Sequence, residues 1–97
     1  MRIISKRQLR EFWEKHPDAK QPLFVWYSVV KKADWREPID ITSTYRNART
    51  IGMNRAIFSL KGNDYRLVVA IRYDKGIVFI RFVGTHDQYN KIDALTI

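Results

Sequence analysis

Three consecutive segments in the second half of this chain have the residue pattern of β-strands separated by tight turns. Gly62-Asn63 fits a two-residue hairpin turn between the first two segments, and Asp74-Lys75-Gly76 fits another short turn between the last two. The sequence therefore predicts an antiparallel meander, in which the turn lengths decide which side chains share a face. The three predicted strands cover 54–60, 64–73 and 77–83.

The register of this meander sorts apolar residues to one face and arginines to the other. Pairing about Gly62-Asn63 places Ser59 opposite Arg66 and Arg55 opposite Ala70. A second turn of two or four residues then puts Arg66 and Arg81 on the same face. A turn of three residues would place Arg81 in the core, where an unpaired guanidinium costs several kcal/mol. We therefore expect the even register.

These pairings predict the composition of both faces of the sheet. The apolar face should pack against helices, and the mixed face should be open to an anionic ligand. The predicted apolar face contains Ala56, Phe58, Leu60, Tyr65, Leu67, Val69, Ile71, Val78, Ile80 and Phe82. The predicted open face contains Arg55, Ile57, Ser59, Arg66, Val68, Ala70, Arg72, Ile77, Phe79, Arg81 and Val83.

Two amphipathic helices are predicted before the strands. The first begins with the capping-box pattern of Ser5 and Gln8 and is stopped by Pro17. The second follows a similar pattern at Asp18 and Gln21. Their apolar residues recur at helical spacing and should pack as a hairpin against the sheet. These residues are Leu9, Phe12, Trp13 and His16 in the first helix, and Leu23, Trp26, Tyr27 and Val30 in the second.

The remaining segments complete a single α+β domain over 1–97. Residues 34–52 are expected to form a loop with one helical turn after Pro38, and Arg2-Ile3-Ile4 is a candidate edge strand. Thr85 and Gln88 form a further capping pattern, which predicts a short C-terminal helical turn. The predicted architecture is two N-terminal helices packed on a three- to four-stranded antiparallel sheet.

The charge balance of the chain favours an anionic partner. Its 18 basic and 10 acidic residues give a formal net charge of +8, which suits RNA, DNA or an acidic protein. The absence of cysteine excludes disulfides and thiolate catalysis, and fits a reducing cytoplasm. No apolar stretch approaches the roughly 20 residues that cross a membrane. A cytoplasmic protein without a membrane partner is therefore expected.

Four side chains near the predicted open face are candidates for phosphate chemistry. Arg66 and Arg81 have the planar fork that makes bidentate contacts to phosphate. His86 can transfer a proton near neutral pH, and Tyr89, three residues later, can stack on a base or donate to a phosphate oxygen. The alternative is structural: the arginines pair with carboxylates, His86 caps the last turn, and Tyr89 anchors it.

Other chemistries have little support in the sequence. His16 and His86 lie far apart without metal-ligand spacing, and His16 falls on the apolar side of the first helix, as a packed or capping residue would. There is no phosphate-binding glycine loop and no serine in a nucleophile-elbow context. No metal or cofactor is therefore expected.

The sequence resembles the HigB family of bacterial toxins over essentially its whole length. The resemblance implies the RelE-like fold and membership of a type II toxin–antitoxin system. It also implies an mRNA interferase that cuts transcripts on the translating ribosome, and a HigA-type antitoxin with a helix-turn-helix domain. The segments that carry the resemblance are Met1–Lys6, Phe12–Pro17, Lys32–Trp35, Lys61–Leu67 and Thr85–Tyr89.

The resemblance also implies site residues and partners. Expected partners are mRNA on the ribosome, ribosomal RNA and the antitoxin, with DNA contacted only through the antitoxin. Lys61 would hold the RNA backbone or, with a lowered pKa, act as a base. The expected catalytic residues are Arg66, Arg81, His86 and Tyr89, and the expected RNA-binding residues are Lys61, Asn63, Arg55, Arg72 and Lys91.

The chain departs from the family pattern in two places, and the sequence is compatible with other functions. The family commonly has Tyr-Asp where this chain has Tyr89-Asn90, which is compatible with a degenerate toxin that retains only antitoxin binding. Residues 38–55 match the family poorly, so Arg46, Arg49 and Arg55 are weaker candidates. A non-catalytic toxin is the alternative, since ParE toxins of this fold bind DNA gyrase. A general RNA-binding module is disfavoured, because the open face lacks a row of exposed aromatics.

Overall fold

A computed structural model describes all residues, 1–97, as one α+β domain. None of its helices has the length and apolar character needed to span a membrane. The strands are β1 (Arg2–Ile4), β2 (Arg49–Ile51), β3 (Arg55–Leu60), β4 (Tyr65–Arg72) and β5 (Ile77–Thr85). The helices are α1 (Lys6–Lys15), a 3₁₀ turn (Pro17–Ala19), α2 (Lys20–Lys32), α3 (Pro38–Thr44) and α4 (His86–Tyr89).

The five strands form one mixed sheet in the order β1-β5-β4-β3-β2. The predicted antiparallel meander of β3, β4 and β5 is confirmed, as are the two N-terminal helices, the helical turn after Pro38 and the short α4. Two details were wrong. β1 pairs with β5 in parallel, and β2 adds a fifth strand inside the segment expected as a loop. Both strands have only three residues, too few to show an alternating pattern.

The register matches the prediction through most of the meander. Ser59 pairs with Arg66, and the four residues between Arg72 and Ile77 give the expected even turn. The ladder then shifts between Val68 and Val69, which pair with Phe82 and Ile80 and leave Arg81 without an opposite residue. Arg81 is therefore the extra residue of a β-bulge.

The bulge corrects the predicted faces beyond Arg81. Phe82 lies opposite Val68, on the open face rather than in the core. Val83, expected on the open face, packs against the hydrophobic core instead. A single inserted residue exchanges the faces of all residues that follow it in a strand, because side chains alternate with a period of two.

An aromatic cluster on the inner face of the sheet joins it to the helices. The ring of Phe58 lies 5.4 Å from that of Trp26, 6.1 Å from that of Trp35 and 5.4 Å from that of Tyr45. Trp26 is fully buried on α2, so Phe58 connects β3 to the helical layer. Such pairs add to the stability already provided by burial of apolar area. The helical layer therefore covers one face of the sheet and leaves the other for ligands.

The predicted helix caps were correct only at α4. Thr85 and Gln88 form a capping box there. The side chain of Ser5 makes no cap hydrogen bond, and that of Gln8 donates instead to the carbonyl of Ile80 at 3.2 Å. Asp18 lies in the 3₁₀ turn and binds side chains of the β3–β4 hairpin, so it does not cap α2. Gln8 and Asp18 thus bind tertiary partners instead of capping a helix.

Candidate active site

The short helix α4 is fixed firmly at the end of β5. The Thr85 amide donates to the Gln88 side chain at 2.9 Å, and the Gln88 amide donates to the Thr85 hydroxyl at 3.2 Å. The His86 amide also donates to the Asp64 carbonyl at 3.1 Å, which ties α4 to the β3–β4 turn. Helices this short depend on such contacts, because propensity alone does not hold them. His86 and Tyr89 therefore lie on a helix that is hydrogen-bonded at its N-terminus and tied to the β3–β4 turn.

Tyr89 lies among two arginines and a phenylalanine on the open face. The Arg66 guanidinium lies 5.8 Å from the centre of the Tyr89 ring, and the Phe82 ring lies 6.5 Å from it. Arg49 Nη2 is 3.4 Å from Tyr89 Oη. We call Arg49, Arg66, Phe82 and Tyr89 the tyrosine cluster. It combines two cations with aromatic surface, which is the combination that binds a phosphate and a stacked base.

His86 lines a shallow depression beside this cluster, at the end of the sheet where β4 begins. The depression is also lined by Asn63, and the Asn63 carbonyl accepts a hydrogen bond of 3.0 Å from Arg66. Arg66, a member of the tyrosine cluster, is therefore bonded to a residue of this second feature, which we call the histidine depression. Its lining residues are His16, Asn63, Asp64, Tyr65, Thr85, His86 and Asp87.

An ion pair anchors the β3–β4 hairpin to the 3₁₀ turn beneath it. Lys61 Nζ lies 2.5 Å from Asp18 Oδ2 and 3.9 Å from Asp64 Oδ2, and the Tyr65 hydroxyl donates to the other oxygen of Asp18. The Lys61 contact, followed by that of Tyr65, lowers the pKa of Asp18. The same carboxylate raises the pKa of Lys61 and raises that of Tyr65 to about 12. The ion pair therefore favours the protonated form of Lys61, whereas a general base must be deprotonated.

The other predicted RNA-binding and catalytic cations have contacts or exposed positions of their own. Arg55 is half-buried and donates to the backbone oxygen of Ile97. Arg72 pairs with Asp74 at 3.3 Å, at the far end of β4 from Arg66, and this contact lowers the pKa of Asp74. Arg81 is exposed, with its guanidinium 5.7 Å from the centre of the Phe79 ring, and Lys91 is exposed just after α4. The structure thus brings together Arg66, His86, Tyr89 and Asn63.

Two members of the tyrosine cluster were underestimated from the sequence. Arg49 lies in the segment expected as a loop, and Phe82 was assigned to the core face. The pair of β-branched residues Thr50-Ile51 before the Gly52 turn was the available signal for β2. Nothing in the sequence marks the bulge that turns Phe82 outward. Nowhere do three or more histidine or acidic side chains come together as a metal site.

Comparison with known proteins identifies the family. Residues 19–92 match the family model described as HigB toxin, RelE-like toxic component of a toxin-antitoxin system. The chain is 24% identical over 94 residues to the mRNA interferase HigB of Escherichia coli O6:H1, covering 95% of this chain and 91% of that protein. It is 23% identical over 97 residues to the mRNA interferase toxin HigB of Escherichia coli K12 and to the mRNA interferase HigB of Shigella flexneri, covering 98% of this chain and 93% of each. The chain belongs to the HigB toxin family, the RelE-like toxic components of toxin–antitoxin systems.

Proposed function

We propose that this toxin is an mRNA interferase, an endoribonuclease that cuts mRNA on the translating ribosome without a catalytic metal ion. The observation that carries the proposal is the position of Arg66. Its guanidinium lies over the ring of Tyr89 and donates to the carbonyl of Asn63, a residue that lines the same depression as His86. A phosphate at Arg66 would thus lie between a stacking surface and a proton-transfer group. The relatives named as mRNA interferases support the same activity.

The proposed reaction is attack of a ribose 2′-hydroxyl on the adjacent phosphate, which gives a 2′,3′-cyclic phosphate and a 5′-hydroxyl. Arg66 would stabilise the charge that develops on the phosphoryl oxygens, which is commonly the largest electrostatic contribution. His86 has no side-chain hydrogen-bond partner within the protein and is free to exchange a proton with the RNA. Tyr89, steadied by Arg49, would stack on the nucleotide and orient it.

The remaining partners follow from charge and from the family. A net charge of +8 suits docking on ribosomal RNA, with strong salt dependence. Because the family is the toxic component of a toxin–antitoxin system, we expect a cognate antitoxin. A HigA-type antitoxin with a helix-turn-helix domain would provide the only contact with DNA. Translating ribosomes place the site of action in the cytoplasm.

The activity can be tested by primer extension on a reporter mRNA in a reconstituted translation system. Wild-type protein should generate new 5′ ends only when translation is active. Arg66→Ala and His86→Ala should each remove most of that signal, by about 10²-fold or more. Arg7→Ala is the matched control, because this exposed arginine lies on α1, outside the assigned site, in an ion pair with Glu11. It should cleave like the wild type.

The chemistry of the ends tests whether the 2′-hydroxyl is the nucleophile. Attack by the 2′-hydroxyl leaves a 2′,3′-cyclic phosphate, and a single 2′-deoxynucleotide at the cleavage position should abolish cutting. Ends that carry a 3′-hydroxyl, or a deoxy substrate that is cut normally, would refute this mechanism. Growth arrest without any RNA cleavage would instead favour a toxin that binds another target. Absence of both effects would identify a degenerate toxin, with Asn90 as the first position to restore to aspartate.

A further inference from the structure

The histidine depression contains a second imidazole that the reaction described above does not use. His16 follows the last residue of α1 and His86 opens α4, so the two residues come from opposite ends of the chain. Both line the same depression. Neither side chain has a hydrogen-bond partner within the protein, so both sets of ring nitrogens are available to a ligand. From sequence alone, His16 was expected only to pack or to cap.

The ring of His16 is held in place by aromatic neighbours. It stacks on Phe12, with ring centres 4.4 Å apart and planes at 25°, and meets the edge of the Tyr65 ring at 5.8 Å. Tyr65 is itself fixed by the hydrogen bond from its hydroxyl to Asp18. A packed histidine that retains two free nitrogens is preorganised for proton transfer, because little ordering remains to be done when the substrate binds.

The ion pair below the hairpin ties the turn that follows His16 to the hairpin that carries Arg66. Asp18 lies two residues after His16 and binds Lys61 and Tyr65, on either side of the β3–β4 turn. Arg66 follows Tyr65 directly and donates to Asn63 within that turn. Lys61 and Asp18 therefore hold the turn after His16 against the hairpin that carries Arg66.

We propose that His16 is a second catalytic residue, which works with His86 as an acid–base pair across the histidine depression. This inference rests on the proposed endoribonuclease function. One imidazole accepts the proton of the 2′-hydroxyl while the 2′-oxygen bonds to phosphorus. The bond from phosphorus to the 5′-oxygen breaks, and the other imidazole, which starts protonated, gives its proton to that oxygen. Both histidines return to their starting states by proton exchange with water.

The proposal can be separated from a structural role of His16 by a substitution that keeps the aromatic stack. His16→Phe preserves a ring against Phe12 and Tyr65 but cannot transfer a proton. It should lower single-turnover cleavage on the ribosome by about 10²- to 10⁴-fold, as His86→Phe should. Thermal melting should remain close to that of the wild type. His16→Gln is the second variant, and Glu14→Gln, an exposed residue on the same helix, is the control.

A modified substrate then identifies the acid. In an mRNA with sulfur in place of the 5′-oxygen at the cleaved bond, the leaving thiolate needs no proton. One of the two histidine variants should recover a rate near the wild-type rate on this substrate, and the other should stay slow. Wild-type cleavage of normal mRNA by His16→Phe would overturn the proposal, as would failure of both variants to recover. If the wild type cuts no RNA, the proposed function itself fails, which is a different result.

Discussion

Arg49 Nη2 lies 3.4 Å from Tyr89 Oη, so the edge strand β2 touches the last helix of the chain through two side chains. Arg66 also approaches Tyr89, with its guanidinium 5.8 Å from the ring centre. Tyr89 is therefore approached by two cations that come from strands on either side of β3. The orientation of the proposed stacking residue depends on both.

We expect Arg49→Ala to lower RNA cleavage without unfolding the protein. Loss of the contact with Tyr89 frees its ring, and small errors in substrate position cost up to about 10²-fold in rate. The free energy of unfolding should change by less than about 0.5 kcal/mol, because Arg49 is exposed. Arg46→Ala removes the same charge from a neighbouring exposed position. Equal losses in the two variants would show that only overall charge matters.

We expect Gly84→Ala to disturb the site through crowding. A Cβ atom at this position would lie 2.5 Å from Phe82 Cζ and 2.8 Å from Gln88 Oε1, so both side chains must move. Gln88 belongs to the capping box that fixes α4, and Phe82 belongs to the tyrosine cluster. Overpacking of this kind costs about 1–3 kcal/mol.

Chemical denaturation and ribosomal cleavage assays should show both effects for Gly84→Ala. Gly76→Ala is a useful comparison, because a Cβ there meets no neighbour within 4 Å and only the positive φ of 66° is strained. It should lose stability but not specific activity. Full activity of folded Gly84→Ala would contradict the assigned role of Phe82 and α4.

We expect Gln8→Ala to destabilise the sheet next to the bulge. The Gln8 side chain donates to the Ile80 carbonyl at 3.2 Å in a half-buried position, immediately before Arg81. Loss of such a hydrogen bond lowers the free energy of unfolding by about 1 kcal/mol. Urea denaturation measures this change, with Arg10→Ala on the same helix as the control. If both variants have the same midpoint, the bulge is maintained without Gln8.

The parts of the fold that were predictable are those with a long local pattern. Strands β3 to β5 and helices α1 and α2 each extend over six residues or more, so their apolar period is visible in the sequence. The strands β1 and β2, by contrast, are only three residues long. These two strands form because they pair with other strands of the sheet, and a local sequence pattern does not predict that pairing.

The site was predictable in its residue types but not in its arrangement. Capping at Thr85 placed His86 and Tyr89 on one short helix, as expected. The bulge leaves Arg81 without an opposite residue on β4 and turns Phe82, the residue after it, to the open face. Lys61 forms an ion pair with Asp18, and Arg55 donates a hydrogen bond to the backbone oxygen of Ile97. Which partner each charged side chain binds depends on the folded structure, and a local sequence pattern does not specify it.

The anchor between Asp18 and Tyr65 predicts a specific loss of stability at alkaline pH. Hydrogen bonding to Asp18, the largest cause, raises the pKa of Tyr65 from its ordinary value of 10.0 to about 12. A group with a raised pKa contributes its full stability below the ordinary value, and that stability is lost as pH rises through the raised value. The contribution of Tyr65 should therefore decline between pH 10.0 and about 12. Tyr65→Phe lacks this ionisation and should lose less stability across the same range.

The test compares the free energy of unfolding of the wild type with that of Tyr65→Phe. Only the difference between the two proteins reports on Tyr65, because burial also raises the pKa values of Tyr45 and Tyr73 in both. The free energy of unfolding should thus be measured by urea denaturation for the wild type and Tyr65→Phe at several pH values. The gap between them should narrow as pH rises above 10.0. Asp18→Asn should also flatten the alkaline loss, because it removes the carboxylate that opposes ionisation of Tyr65. A gap that stays constant would mean that this hydrogen bond does not persist in solution, and His16 would then lack the support that its proposed role requires.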